Sequence, residues 1–273
     1  MTNLIIGKNS NLSNALVNKM DNVILVSSRE ITENIDSLLK FKSQHINLIF
    51  NNFQPAVMLN DFSSFEKYIS NSIGNTAKIL DFCSESKVNI NKIIYTSSSS
   101  VYGNNILCNE QDELQPLNLQ ASLKVSNEKM IENYCLNNNI DYTIARIFNM
   151  YGGNDQFSII SKIIKAYKLE EELTIVNNGN AVRDFIHIDD VVAIYLKLLK
   201  VKKVPYINIG TGEGSSVKNI LDFLKNSNVN IKTKKVFKNE LKISTADTSL
   251  LSKQFNYKNF ISIEQYLEKE FNL

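Results

Sequence analysis

The sequence predicts an α/β fold, a doubly wound parallel sheet with a small α/β lobe in the carboxyl-terminal part of the chain. Three observations predict it. Short apolar runs alternate with helical patterns through about the first 150 residues, which is typical of a parallel sheet covered by helices. The strand-like runs are almost wholly apolar, as in strands buried on both sides. Beyond about residue 150 the pattern becomes less regular, with no repeat and no flexible linker.

Each element follows from the spacing of its apolar residues. Apolar runs predict strands at 4–6, 23–26, 46–50, 92–95 and 142–145, and later near 173–176, 205–209 and 241–245. Helical spacing predicts helices around 12–20, 35–42, 61–85 and 121–138, and later near 156–169, 189–200, 216–226 and 262–271. Such sheets bind ligands beyond the carboxyl ends of their strands. We therefore expect the loops after residues 6, 26, 50, 96 and 146 to line the site.

Composition excludes several classes of function. The 273 residues carry 30 Lys and Arg against 28 Asp and Glu, so the net charge of +2 gives no case for nucleic acid or an acidic membrane as partner. Two histidines, and three cysteines without metal-type spacing, predict neither a metal centre nor a disulfide framework. No apolar run approaches a membrane span, and the first residues lack a targeting pattern. We expect a cytoplasmic protein.

The turn after the first strand is the first candidate site. Gly7 ends that strand, and Ser10 and Ser13 take the second and third glycine places of a G-x-x-G-x-x-G loop. Such a loop offers the backbone N–H groups of residues such as Asn11 and Leu12, and a helix N-terminus, to a pyrophosphate. The alternative is an ordinary turn whose serines cap the next helix.

Further polar groups follow the later strands. Arg29 comes after the second strand, where an arginine favours a 2′-phosphate; the alternative is a solvated surface side chain. Ser98 and Ser99 follow the fourth strand and place hydroxyls where a substrate oxygen is expected. Lys124 and Glu128 lie four residues apart near the start of a helix, a spacing that also fits a surface pair.

Four strings in the second and third quarters of the chain carry a resemblance when taken together. They are Tyr-Thr-Ser-Ser-Ser-Ser-Val-Tyr-Gly at 95–103, Arg-Ile-Phe-Asn-Met-Tyr-Gly at 146–152, Arg-Asp-Phe-Ile-His-Ile-Asp-Asp-Val at 183–191 and Asn-Ile-Gly-Thr-Gly-Glu-Gly at 208–214. With these strings in this order, the chain resembles the extended short-chain dehydrogenase/reductase family, and within it the nucleotide-sugar epimerases, dehydratases and reductases. The resemblance runs from residue 7 to about residue 257.

The resemblance implies two domains and a set of site residues. It implies a Rossmann domain for NAD or NADP over 1–152 and about 182–211, and a lobe for a nucleoside-diphosphate sugar over about 153–181 and 212–273. The implied catalytic positions are Ser98, Gln120 and Lys124. In the family, the lysine holds the cofactor ribose and lowers the pKa of the acid/base tyrosine. The implied cofactor contacts are Gly7, Ser10, Asn11, Leu12, Arg29, Asn52, Lys124 and Phe148. The implied substrate contacts are Ser98, Ser99, Tyr102, Asn149 and Arg183, and two copies would pair through helices 61–85 and 121–138.

The sequence departs from the family pattern on the cofactor and acid/base side. Gln120 stands where the family has its acid/base tyrosine, and a carboxamide exchanges no proton near neutral pH. Two of the three loop glycines are serines, and Asn52 and Phe53 replace two small alanines. Tyr102 and Tyr151 are further candidate proton donors, each with an alternative structural role.

We therefore predict an NAD(P)-dependent oxidoreductase, epimerase or dehydratase that acts on a nucleoside-diphosphate sugar in surface polysaccharide synthesis. The stretch of sequence from Val26 to Ile46 is short, whereas many family members have an extra strand there. This shorter layout, together with Arg29, resembles the deoxysugar 4-reductases and favours NADP. The alternative is a family member that binds a sugar nucleotide without hydride chemistry, as a regulator or in a non-redox role. A third interpretation keeps only the fold, with an unrelated small ligand.

Overall fold

Two units make up the computed structural model, which describes residues 1–42, 44–51 and 65–273. Within the described residues, the first unit comprises Met1–Gly103, Leu114–Arg146 and Tyr195–Ile207. The second unit comprises Asn104–Glu113, Ile147–Ile194 and Asn208–Leu273. Each unit is therefore assembled from separate stretches of the chain.

The strands carry the predicted alternation. In chain order, those of the described residues are β1 (Thr2–Ile6), β2 (Val23–Val26), β3 (His45–Phe50), β4 (Asn89–Ser98), β5 (Leu107–Cys108), β6 (Asp141–Ile147), β7 (Asn149–Tyr151), β8 (Leu173–Val176), β9 (Val182–His187), β10 (Tyr206–Ile209), β11 (Gly214–Ser216), β12 (Thr233–Val236) and β13 (Ile243–Ala246). The main sheet has the order β10-β6-β4-β3-β1-β2. Strand β1 pairs in parallel with β2 and β3, and β3 pairs in parallel with β4. The predicted parallel sheet is confirmed.

The helices also follow the predicted order. Those of the described residues are α1 (Asn11–Val17), α2 (Ser28–Glu33), α3 (Phe65–Ile69), α4 (Asn75–Glu85), α5 (Leu119–Asn138), α6 (Ile159–Lys168), α7 (Ile188–Leu198), α8 (Val217–Asn226), α9 (Ser249–Phe255) and α10 (Ile263–Phe271). A π-helical turn, Ser70–Gly74, lies between α3 and α4, so the expected helix 61–85 is interrupted in its described part. The expected helix at 35–42 is instead a 3-10 helix, Ile35–Phe41.

Helix α2 is an addition to the expected elements. It begins with a capping box: Ser27 Oγ accepts from the Glu30 N–H at 3.2 Å, and Glu30 Oε2 accepts from the Ser27 N–H at 2.6 Å. The spacing Ser-x-x-Glu is the sequence signal for this start, because the two side chains satisfy two backbone donors that the helix itself leaves free. The stretch after β2 is therefore helical from Ser28 onward.

Apolar strand side chains form the core of the first unit. Leu4, Ile6, Leu48, Phe50 and Ile93 are almost completely buried, as a sheet with helices packed on it requires. Helix α4 adds further buried apolar residues, among them Ile79, Leu80 and Cys83. Burial on this scale supplies the main favourable free energy of folding, at about 25 cal/mol per Å² of apolar surface.

The second unit has its own small sheets. One has the order β11-β9-β13-β5, with β7 paired to β9, and β12 pairs with β8. This unit includes 104–113, 147–152, 182–194 and 208–211, which the expected Rossmann domain over 1–152 and 182–211 also covers. The physical reason is strand pairing, because β5 pairs with β13, and β9 pairs with β7, β11 and β13. The division into a cofactor domain and a substrate lobe stays a prediction.

Candidate active site

The turn after β1 contains one residue in the backbone region that favours glycine. Gly7 has φ +112°, in the region that favours glycine, and its N–H donates to Val26 O at 2.8 Å. Ser10 is the N-cap of α1, since its Oγ accepts from the Ser13 N–H at 3.1 Å. Asn11 is the first residue of α1, and the next residue, Leu12, is buried. The helix-capping alternative is therefore observed at Ser10, and the contact of this turn with a pyrophosphate stays a prediction.

A chain of side-chain hydrogen bonds links this turn to the ends of β3 and β4. Ser13 Oγ lies 2.8 Å from Gly7 O, and Asn51 Nδ2 donates to Ser13 Oγ at 2.7 Å. Asn51 Oδ1 accepts from Thr96 Oγ1 at 2.6 Å, and Thr96 Oγ1 also contacts Tyr195 OH at 2.7 Å. Sequence spacing alone predicts no role for Asn51, Thr96 or Tyr195. Of these three residues, Asn51 carries a sequence signal that could have indicated a site, because it is polar and directly follows an apolar strand.

Lys124 belongs to α5, and its side-chain amine lies at the carboxyl end of β4. Its Nζ donates to Thr96 O at 2.6 Å and lies 5.0 Å from the centre of the Tyr95 ring. Burial lowers the pKa of Lys124 to about 8, although the nearby carboxylate of Glu128 acts in the opposite direction. An amine with this pKa exchanges protons close to neutral pH.

Glu128 forms a buried ion pair with Arg146 rather than a surface pair with Lys124. Its Oε2 accepts from Arg146 Nη2 at 2.8 Å, and its Oε1 accepts from Arg146 Nε at 3.3 Å. Ser97 donates a further hydrogen bond to Glu128. Arg146 Nη1 donates to Tyr102 OH at 3.0 Å, and Tyr102 is fully buried. Tyr102 therefore has a structural role in this hydrogen-bond network, and its expected contact with substrate stays a prediction.

Ser98 and Gln120, the other two expected catalytic residues, also lie in the first unit. Ser98 caps the 3-10 helix Ser99–Tyr102 by accepting from the Ser100 N–H at 3.2 Å. Ser98 and Ser99 are both half-buried. Gln120 lies in the first turn of α5, one helical turn before Lys124.

Of two further expected cofactor residues, Arg29 and Asn52, the structure describes Arg29. Arg29 lies in α2 with 83% of its side chain exposed, and its Nε pairs with Glu33 Oε1 at 2.8 Å. That pair raises the pKa of Arg29, and it engages the guanidinium that was expected to meet a 2′-phosphate. Asn52, together with Phe53, lies outside the described residues.

The second unit holds the remaining expected substrate and cofactor residues. Phe148 is buried, and its N–H donates to Ile209 O at 3.0 Å. Asn149 Nδ2 donates to Asp184 O at 2.9 Å. Arg183 Nη2 lies 3.6 Å from Glu240 Oε2, and both side chains are about a quarter exposed. Arg183 is therefore accessible to an anion, with a carboxylate already beside it.

Asp184 organises the backbone around Arg183. Its Oδ1 accepts from the Thr211 N–H and hydroxyl, each at 2.8 Å. Its Oδ2 accepts from the Gly212 N–H at 2.9 Å and from the Ala246 N–H at 3.1 Å. Burial raises the pKa of Asp184, and these hydrogen bonds oppose that rise. The carboxylate therefore connects β9 to the turn after β10, which contains Thr211 and Gly212, and to β13.

Tyr151, the other candidate proton donor, packs inside the second unit. Its OH donates to Ile261 O at 2.9 Å, and its ring lies 5.2 Å from the His187 ring and 5.3 Å from the Tyr266 ring. Burial raises the pKa of Tyr151 well above its ordinary value. A phenol in this setting has a structural role.

Comparison with known proteins decides the family. Residues 8–210 match the model of the NAD dependent epimerase/dehydratase family, which is well over half of the chain. The chain belongs to this family. The expected Rossmann-type α/β fold and the expected resemblance to nucleotide-sugar epimerases and dehydratases are thereby confirmed.

Three relatives of this epimerase/dehydratase family member illustrate the likeness. The chain is 34% identical over 174 residues to Protein CapI of Staphylococcus aureus, covering 62% of this chain and 51% of that protein. It is 28% identical over 214 residues to UDP-glucuronate 4-epimerase of Thermodesulfobacterium geofontis, covering 75% of this chain and 65% of that protein. A variant of UDP-glucuronic acid 4-epimerase from Bacillus cereus, solved with UDP-4-deoxy-4-fluoro-glucuronic acid and NAD, is 25% identical with a TM-score of 0.85. That match covers 100% of this chain and 98% of the other.

The described part of this family member bears on two further expectations. Within residues 1–42, 44–51 and 65–273, no helix combines the length and apolar character that a membrane crossing requires. Across the same residues, no group of three His, Cys, Asp or Glu side chains is arranged to hold a metal ion.

Proposed function

We propose that this chain is an NAD-binding oxidoreductase that acts at C4 of a nucleoside-diphosphate sugar. NAD, when bound, takes a hydride from the sugar or gives one to it. A 4-epimerase and a deoxysugar 4-reductase share this step, and the relatives with named activities support hydride chemistry in general. The role in surface polysaccharide synthesis stays a prediction, and loss of that polysaccharide on deletion of the gene tests it.

The position of Lys124 carries the proposal. Its amine is anchored to Thr96 O, two residues before Ser98, at the carboxyl end of a central parallel strand where such folds bind their ligands. Because Gln120 cannot exchange a proton, we assign the proton transfer to Lys124, whose pKa of about 8 suits an acid or a base near neutral pH. Ser98 would hydrogen-bond the sugar hydroxyl that reacts.

The turn after β1 supports the cofactor part of the proposal. A side chain at the third glycine place obstructs a pyrophosphate only if it faces the ligand. Ser13 is fully buried, and its hydroxyl contacts Gly7 O and Asn51 Nδ2 inside the turn. The Ser13 side chain would therefore not obstruct a pyrophosphate. The pyrophosphate would be held by Gly7, Ser10 and the backbone N–H groups of Asn11 and Leu12. Arg183, in the second unit, would meet the phosphates of the sugar nucleotide.

Titration with NADH and turnover of UDP-sugars test the function. The wild-type chain should bind NADH, and Lys124→Met should abolish turnover. Lys129→Met is the matched control, because Lys129 lies on the same helix but is exposed and pairs with Glu132. An epimerase would interconvert C4 epimers with no net change in NADH, whereas a reductase would consume one NADH per sugar. A wild-type chain that binds neither NADH nor NADPH would refute the proposal, and unchanged turnover in Lys124→Met would refute the role of Lys124.

A second candidate function rests on Gln120. A family member without the tyrosine acid/base would bind a sugar nucleotide as a regulator or in a non-redox role. That candidate predicts UDP-sugar binding with no hydride transfer to or from any bound dinucleotide. Single-turnover absorbance at the nicotinamide band separates the two functions.

A further inference from the structure

We infer that Asn51 is a positioning residue for the dinucleotide turn after β1 and that it acts through the Ser13 hydroxyl. The inference rests on the proposed function, because that function puts a pyrophosphate at this turn. Asn51 directly follows β3, whose neighbours in the sheet are β1 and β4. Its backbone N–H also donates to Ile6 O at 2.8 Å, so its side chain is held at the end of β1.

The direction of each hydrogen bond in the chain is determined by chemistry. A carbonyl oxygen only accepts, so Ser13 donates to Gly7 O and accepts from Asn51 Nδ2. The amide oxygen of Asn51 also only accepts, so Thr96 donates to it and accepts from Tyr195 in turn. A single directed chain therefore runs from Tyr195 to the carbonyl of the residue that has φ +112°.

Burial makes the link between Ser13 and Asn51 essential. Ser13 is fully buried and Asn51 is 1% exposed, so water does not replace a missing partner. A glycine at position 13 would leave the Asn51 amide N–H without this acceptor and the Gly7 carbonyl with the Ser10 N–H at 2.9 Å as its remaining donor. An unpaired buried donor such as that amide N–H is costly. In this chain, the hydroxyl of Ser13 holds the turn in a way that a glycine at that place does not.

A double-mutant cycle on NADH affinity tests the inference. Ser13→Gly and Asn51→Ala should each weaken NADH binding about tenfold, as expected for the loss of a buried hydrogen bond. The double variant should lose no more than either single variant, because both changes break the same connection. Ser13→Ala, which removes only the hydroxyl, carries the test if Asn51→Ala does not fold.

Asn47→Ala is the matched control. Asn47 is a buried asparagine on β3, the strand that Asn51 follows; its amide nitrogen donates to Asn3 Oδ1 at 2.9 Å and its amide oxygen accepts from Asn91 Nδ2 at 2.9 Å. This variant should lower the melting temperature and leave NADH affinity unchanged, which separates positioning from general stability. The Asn51 variants should change NADH affinity at a comparable or smaller loss of melting temperature.

The outcomes separate the inference from the proposed function. Unchanged NADH affinity in Asn51→Ala, tighter binding in Ser13→Gly, or independent losses in the double variant would overturn the inference and leave the proposed function in place. A wild-type chain that binds no NADH would overturn both. Equal losses in both single variants and the double variant, with an unaffected Asn47→Ala control, would support the positioning role.

Discussion

The buried ion pair between Glu128 and Arg146 gives the sharpest stability prediction. Replacing Arg146 by Met removes two N–H donors from the carboxylate and one from the Tyr102 hydroxyl. Glu128 is completely buried and keeps only the contact from Ser97 among these partners. Among residues 1–42, 44–51 and 65–273, no Lys or Arg other than Arg146 forms an ion pair or hydrogen bond with Glu128, and the side chain of Glu128 is 0% exposed.

The expected magnitude follows from that arrangement. Removing one partner of a buried ion pair costs about 3–5 kcal/mol, because the other charge stays buried without compensation. With a urea dependence of about 2–3 kcal/mol per M, the unfolding midpoint should fall by about 1–2 M. Replacing both partners, in Glu128→Leu with Arg146→Met, should recover much of the loss, since well-packed apolar pairs often substitute for buried ions.

Urea unfolding followed by circular dichroism measures both effects. The exposed pair of Arg29 and Glu33 supplies the control, because Arg29→Met should leave the midpoint in place. A midpoint in Arg146→Met that matches wild type would refute the assignment of a buried, desolvated pair. A double variant less stable than Arg146→Met would refute the argument that the uncompensated charge dominates the loss.

Three further predictions concern pH, phosphate binding and packing. The folded-state pKa of Lys124 lies at about 8 against an ordinary value of 10.5, so the unfolded chain binds more protons between these values. The free energy of unfolding should therefore rise with pH across that window, and urea titrations of Lys124→Met should lack this rise. Glu240→Gln should tighten UDP binding about two- to fivefold by calorimetry, because it removes the carboxylate 3.6 Å from Arg183; weaker binding would contradict this. Gly152→Ala should destabilise the chain by about 2 kcal/mol or more in thermal unfolding, since Gly152 has φ +93° and a Cβ there would lie 2.4 Å from His187 Nε2; wild-type stability would contradict this.

Local patterns predicted much of the fold. The apolar run at 46–50 corresponds to β3, and the runs at 4–6 and 23–26 lie within β1 and β2. These strands are predictable because burial on both faces requires continuous apolar sequence. Helix α2 was missed although Ser27 and Glu30 carry its capping signal, and the strand expected at 241–245 is observed at Ile243–Ala246.

The candidate site was only partly predictable, because its contacts join residues far apart in sequence. Gly7 and Lys124 stand out through local spacing. The partner of Glu128 does not, since Arg146 lies on a different element and the helical spacing pointed to Lys124 instead. No local signal connects Asn51 to Tyr195. Their side chains meet at Thr96 because β3 lies beside β4 in the sheet and because α7 carries Tyr195.

The discontinuous make-up of the first unit has a consequence for synthesis on the ribosome. Strand β6 ends at Ile147, and its neighbour β10 begins at Tyr206. At about 5–20 residues per second, the nascent chain carries an unpaired β6 edge for several seconds. An open strand edge is a template for pairing with other chains. Slow translation between these two strands should therefore lower the yield of folded protein more than slow translation before β6.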